Sequence, residues 1–510
     1  MRELTKNSGE ASNCTDIDKI TAFGSFEPIE ISPMPRNHYA YTYFHNGIEA
    51  VSFQAATADP DARIYISGQL LKPGQRTENF PLKNGRNLFD ITVVAPDQVT
   101  TRKCNLKIFR AYSTPVWEQV LEQAPWTPRD SAGEIVFKDK MWLIGGYIPE
   151  LTNDVWSSSD GSNWTWIGTV PTSYGVDIPV LFIFEDKMFV IDVAGVMYAS
   201  PDGSSWELVT DQAPWTGRRQ MGGAVFNDKM WVMGGVKDNQ VYNDVWSSED
   251  GVTWVLEVEH APWSKRQISH NLLNYKGKLW LLGGGVMGSS YFPFVAYNDV
   301  WSTSDGIHWE RATAHAPWPA RIWGSTVVYK NKMWMIGGYR AEPESRHFGD
   351  VWYSTDGIEW TALEQHALCW KRSSGNVPIS IPAPMWQDRH EASALVLHDT
   401  LFLMGGMIWP LKNDVWRLKI DGLSFLSQPN FEGYVDCLYI YKAFADFSQS
   451  LNKIKYRLVV APEWLSINED NGYISGVPPH VAQETVLVEA YDESGETAQQ
   501  KYELFILPLN

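Results

Sequence analysis

Five arginines recur at one position of a repeated unit, Arg129, Arg218, Arg266, Arg321 and Arg389, with Tyr174 near the equivalent place in a sixth copy. Guanidinium groups ringing a channel mouth would clamp a carboxylate, a phosphate or an acidic sugar through bidentate hydrogen bonds. A residue that serves each repeat, by pairing with a carboxylate or with loop carbonyls, would recur in the same way, and both readings stand at this point. The residues that follow differ from copy to copy: Asp130, Arg219, Gln267, Ile322 and His390, then Gln220, His270, Trp323 and Glu391 farther in. Varied polar side chains at equivalent positions are what an asymmetric pocket on a symmetric scaffold requires. Among them His270, His390 and Glu391 are the candidate catalytic residues, since an imidazole and a partly buried carboxylate supply an acid and a base. Ordinary hydrogen-bonded residues at a channel mouth are the plainer alternative. Neighbours along a strand point to opposite faces, so His390 and Glu391 are not expected to act on one atom together.

The candidate ligand-binding set is the five repeat arginines with Arg219, Trp323, Tyr174 and Trp386. Aromatic residues at Tyr291, Phe292, Phe294, Trp370, Trp386 and Trp409 would give a stacking platform for sugar rings, or simply pack loop against loop. Cys14, Cys104, Cys369 and Cys437 are scattered without metal-ligand spacing and fall in four different segments, which argues against a disulfide framework. No nucleophile elbow, phosphate loop or zinc motif is present, so neither a metal nor a cofactor is expected.

These residues are carried by a tandem array. The unit runs Ala-Pro-Trp-x-x-Arg, a charged turn, an apolar strand ending in Gly-Gly, then Asn-Asp-Val-Trp and Asp-Gly-x-x-Trp. The glycine pairs are Gly145-Gly146, Gly234-Gly235, Gly283-Gly284, Gly337-Gly338 and Gly405-Gly406, and Phe189 to Val193 is a degenerate copy. Continuous apolar runs such as Met141 to Ile144 suit strands covered on both faces, and the Asp-Gly pairs suit tight hairpins. The outer-strand tryptophan occurs at Trp117, Trp164, Trp206, Trp254, Trp309 and Trp360, yet Trp117 precedes the first repeat and the last repeat lacks one. A strand over Val116 to Leu121 is therefore expected to complete the sixth blade and remove a free sheet edge. Turns on one face are short, whereas Gly285 to Tyr297, Tyr339 to Gly349 and Lys371 to Pro384 are long insertions on the other, the expected functional face.

The double glycine followed by spaced aromatics resembles the kelch family, and implies an all-β fold centred on a six-bladed propeller over 113–422. The Asp-Gly-x-x-Trp hairpins also look like the Asp-box turns of sialidase-like propellers, shortened by a residue, and read as structural. The copper ligands of the galactose-oxidase-like kelch enzymes and the iron motif of plant nitrile-specifier proteins have no counterpart here. The arginine, glutamate and histidine channel of kelch-type sialic acid mutarotases is matched only loosely. Residues 1–21 read as a polar, flexible leader. Residues 22–112, with Asp61-Ala62-Arg63-Ile64, Gly85-x-Asn87, Arg110 and Tyr39 or Tyr41, resemble the cadherin-like β-sandwich of bacterial surface proteins. Residues 423–510, with Pro462-Glu463-Trp464-Leu465 and Asn471-Gly472-Tyr473, resemble an Ig-like sandwich found beside bacterial surface and carbohydrate-active modules.

A net charge of −18 repels phosphate on approach, so nucleic acid is not an expected partner. No apolar run of membrane-spanning length is present, and membrane insertion is not expected. The expected function is binding of an anionic small molecule, a carbohydrate or a partner protein on the long-loop face. The alternative is a metal-independent isomerase, mutarotase or lyase acting there on an acidic substrate. The module resemblance implies an extracytoplasmic or secreted protein, with a cytoplasmic one the alternative.

Overall fold

The computed structural model describes residues 16–24, 29–31, 40–44, 49–72, 74–110, 117–363, 367–371, 375–379, 386–448 and 453–509. Its ordered elements are all strands, and it falls into two compact units, one of them Trp117–Leu363 with Trp386–Ile420. That unit holds six antiparallel four-stranded sheets, here called blades and numbered along the chain. Their first strands are Gly133–Phe137, Val180–Phe184, Gly222–Phe226, Leu272–Tyr275, Ser325–Tyr329 and Ser393–Leu397. Each first strand touches that of the next blade, and Ser393–Leu397 touches Gly133–Phe137, so the six close a ring about an axis. The strand Trp117–Leu121 pairs with Val415–Leu418 and supplies the outer edge of blade six. Val116 itself lies outside the described residues.

Each part of the repeated unit has a mechanical reason. The second strands, such as Lys140–Tyr147 and Lys332–Arg340, are buried over nearly their whole length because neighbouring blades cover both faces. The Asp-Gly turns close as the sequence pattern implies: Asp202 Oδ1 accepts from the amides of Ser204 (2.8 Å) and Ser205 (2.7 Å), and Trp206 donates to Gly203 O at 3.0 Å. The second glycine of each pair makes room for the chain that leads into the first strand. A Cβ at Gly146 would stand 2.5 Å from Asp130 O, and one at Gly406 would stand 3.0 Å from His390 O. The asparagine of Asn-Asp-Val-Trp reaches the next repeat: Asn243 donates to the carbonyls of Ala261 and Trp263, and Asn413 to those of Ala124 and Trp126, which closes the ring a second time.

The N-terminal sandwich packs a sheet built on Ile17–Phe23 and Ala50–Thr57 against one built on Gly85–Val94 and Thr101–Arg110. Its first strand starts inside the leader expected over 1–21, because Ile20 and Ala22 are core residues; residues 1–15, with Cys14, lie outside the described part. Asn87 holds the Gly85-x-Asn87 turn by donating to Lys83 O (2.8 Å) and Gly85 O (3.1 Å). Tyr39 is outside the described residues, and of Tyr41 only the backbone is described. The C-terminal sandwich buries Tyr441, Ile474, Val486, Val488 and Tyr502 between its sheets. Cys104 and Cys437 are free thiols.

Candidate functional site at the axial mouth

The five repeat arginines are between 0% and 5% exposed. Arg129 grips Asp154 with both terminal nitrogens at 2.6 and 2.8 Å and donates to Gly145 O at 2.7 Å. Arg218 with Asp244, Arg266 with Asp299, Arg321 with Asp350, and Arg389 with Asp414 repeat the arrangement. The tryptophan two positions on adds an indole N–H to the same carboxylate, as Trp352 does to Asp350 at 2.7 Å. The expected clamp for an anionic ligand is therefore corrected: these arginines bind aspartates of their own blades, because a buried guanidinium needs a planar partner. Trp386 is corrected likewise. It is 1% exposed and packs edge-on to Trp117 at 5.8 Å, tying the closing strand to blade six. Tyr174 is exposed on the loop before blade two.

The residues after the arginines form the rim. Asp130, Arg219, Gln267, Ile322 and His390 each make a single bridge to the strand end opposite, namely Tyr147, Val236, Gly285, Tyr339 and Met407. Just beyond them the chain turns through the left-handed region in every blade, at Ser131, Ile178, Gln220, Ser269, Trp323 and Glu391, with φ between 42° and 59°. Such a φ in a residue other than glycine costs free energy and persists only where neighbours hold it. Here backbone bonds from blade to blade do so: Glu391 N donates to Trp323 O (3.0 Å), Ser131 N to Glu391 O (3.3 Å), Ile178 N to Ser131 O (2.8 Å) and Ser269 N to Gln220 O (3.3 Å).

This turn overturns one expectation. His390 and Glu391 do not point apart: with Glu391 at φ 51°, His390 Nε2 lies 3.4 Å from Glu391 Oε2. Pleated alternation does not apply, since the strand begins only at Ser393. Asp130, from blade one, joins them, and one donor atom from each of Asp130, His390 and Glu391 lies within 4.8 Å of the others. His390 Nδ1 is 3.0 Å from His347 Nδ1, and its ring stacks on Trp323 at 5.1 Å. Burial, then the nearby His347, lowers the His390 pKa to about 3, so the ring is neutral. Burial, then the Asp177 charge, raises Asp130 to about 7; burial and the charges of Asp130 and Asp177 push Glu391 well up. Arg219 stands exposed nearby and its charge acts on Asp177.

Deeper along the axis lies a cavity of about 170 Å³ lined by residues of all six blades, among them Glu134, Ser269, His270 and Thr326. His270 Nδ1 meets Glu134 Oε1 at 3.2 Å. Burial lowers the His270 pKa, but the Glu134 and Asp177 charges outweigh it and the net shift is upward, favouring imidazolium. Glu134 Oε2, His270 Nε2 and Ser269 Oγ are buried without a hydrogen-bond partner, as are Asp130 Oδ1, Gln220 Oε1 and Trp323 Nε1 at the rim. A larger cavity, about 380 Å³, lies in the N-terminal sandwich; its lining carries one titratable side chain, Lys19, and no cluster that suggests chemistry.

The sequence reading therefore named His270, His390, Glu391, Trp323 and Arg219 at the axis, but missed Asp130 as a partner of Glu391 and missed Glu134, Asp177 and His347. Asp130 is a departure from the repeat in the sequence, and that departure is the signal that finds it. Two of the long insertions are prolonged hairpins, Lys278–Val286 with Val295–Thr303 and Lys332–Arg340 with Arg346–Ser354. In the third, Ala367–Lys371 pairs with Gly375–Ile379, while its side chains, including Cys369 and Trp370, lie outside the described residues.

Comparison with known proteins gives three matches along the chain. Residues 20–111 match the family described as Cadherin-like beta sandwich domain, 113–428 the DUF6242 beta propeller domain, and 439–506 the family described as "Putative Ig domain". The solved structure "Structure of YjhT" is similar at 14% identity and a TM-score of 0.43, over 60% of this chain and 97% of that one. No curated protein matches the chain. Among the described residues no helix is long and apolar enough to cross a membrane.

Proposed function

We propose that this chain, which belongs to the DUF6242 β-propeller family, binds a neutral, polyhydroxylated small molecule of carbohydrate type in the axial mouth of its propeller. One observation carries the reading: the axial cavity and its rim present buried polar atoms that have no partner in the protein, Glu134 Oε2, Ser269 Oγ, His270 Nε2, Asp130 Oδ1, Gln220 Oε1 and Trp323 Nε1. Buried donors and acceptors need partners, and an array mixing both suits hydroxyl groups, each of which donates and accepts. Charge argues against an anion. The five repeat arginines are engaged within the blades, and the raised pKa values of Asp130, Asp177 and Glu391 mark a mouth where further negative charge is disfavoured. The Gly pairs make a kelch-type reading of the propeller the preferred one. The two flanking sandwich families are typical of extracellular proteins, which supports a secreted or envelope location.

Thermal-shift and calorimetric titration of the full chain with neutral sugars, sugar acids and polyols tests the proposal. A saturable rise in melting temperature with neutral sugars, weakened about tenfold or more in Gln220→Ala and Ser269→Val, is expected. No response to any neutral sugar, or responses indifferent to both variants, would sink it.

A second reading, a proton-transferring isomerase of mutarotase type, is favoured by the His270–Glu134 pair, in which an imidazole whose pKa its acidic neighbours raise meets a carboxyl group at 3.2 Å within the cavity. Its measure is anomer exchange followed by NMR. Exchange that His270→Gln leaves at the wild-type rate would remove it.

A further inference from the structure

We propose that Asp130, His390 and Glu391 form a binding site for a divalent transition cation of the Mn²⁺ or Zn²⁺ kind at the rim of the propeller. The inference does not depend on the carbohydrate reading. All three residues are buried, and one donor atom from each lies within 4.8 Å of the other two. The His390 Nε2 to Glu391 Oε2 distance is 3.4 Å. Two ligands about 2.1 Å from a shared tetrahedral ion stand about 3.4 Å apart, so this edge already has the size that coordination requires.

Two further observations point to a cation and not merely to an acidic cluster. Asp130 Oδ1 is buried with no hydrogen-bond partner, in a residue 3% exposed. The His390 ring is held from behind, its Nδ1 3.0 Å from His347 Nδ1 and its face on Trp323, which leaves Nε2 turned toward Glu391. A metal-ligating imidazole is generally held in this way, one nitrogen fixed by an outer partner while the other binds. The donor set selects among ions. One imidazole with two carboxylates suits borderline first-row ions better than Ca²⁺ or Mg²⁺, which favour all-oxygen shells. Coordination positions beyond these three would fall to water or to a ligand hydroxyl at the mouth.

The test uses the full chain, stripped with EDTA and titrated calorimetrically with MnCl₂ and with ZnCl₂. One equivalent is expected to bind, with affinity at least about tenfold lower in each of Asp130→Asn, His390→Gln and Glu391→Gln, and about ten- to a hundredfold lower in His347→Phe. Asp130→Asn and Glu391→Gln each replace a buried acid, whose ionisation burial and its neighbours already oppose, by a neutral side chain of the same shape, so their metal-free melting temperatures should match or exceed wild type, which separates lost ligation from lost folding. Failure of both ions to bind would overturn the site. So would binding that persists unchanged in the Asp130→Asn, Glu391→Gln double variant, since the ion would then sit elsewhere.

Discussion

Two arginines one step apart in the repeat frame do different jobs. Arg389 is spent on Asp414, so Arg389→Ala leaves a buried carboxylate uncompensated and should cost about 3–5 kcal/mol, read as a lower midpoint in urea. Arg219, exposed and one residue past the repeat position, should tolerate alanine within about 0.5 kcal/mol in the same experiment. Gly406 faces a different constraint, with φ at 105° and a Cβ that would meet Ala392 Cβ and His390 O at 3.0 Å. Gly406→Ala should therefore destabilise by about 1–3 kcal/mol and disturb the rim from behind, with the melting temperature as the measure.

At the scale of the blade, aspartates carry much of the acid sensitivity. Burial pushes the carboxyls of Asp154 and Asp350 up, but the paired Arg129 and Arg321 outweigh it and hold both below the usual range. Backbone amides likewise hold Asp202 low at its turn. A carboxyl depressed in the folded state stabilises above its unfolded pKa of about 3.9, and that contribution disappears as pH falls toward the folded value. The melting temperature should thus drop steeply below about pH 4, and less steeply in Asp350→Asn, followed by circular dichroism. The blades were legible from sequence because each carries its own instructions: Asp-Gly for the hairpin, Gly-Gly for the crossing, tryptophan for the interface. The rim was not, because periodicity describes strands and its key residues stand outside them. Nothing local predicts that Glu391 turns back toward His390, or that Asp130, distant in the chain, meets them; both follow from ring closure.

For the whole propeller, one short strand completes the outer edge of the last blade. Trp117 is 1% exposed, meets Trp386 edge-on and opens the strand that pairs with Val415–Leu418. Trp117→Ala should cost about 3–5 kcal/mol and, by loosening the edge of blade six, increase light scattering on heating, whereas Trp166→Ala, a substitution of an exposed residue in blade one, should do neither. The backbone bonds that run from Trp323 to Glu391, Ser131 and Ile178 involve main-chain atoms alone. The path of the chain at the mouth is thus held by the backbone, with the side chains displayed on it. A library varying residues 220, 269 and 323 should therefore keep these main-chain bonds, and under the proposed binding at the mouth its members should differ in which sugar raises their melting temperature.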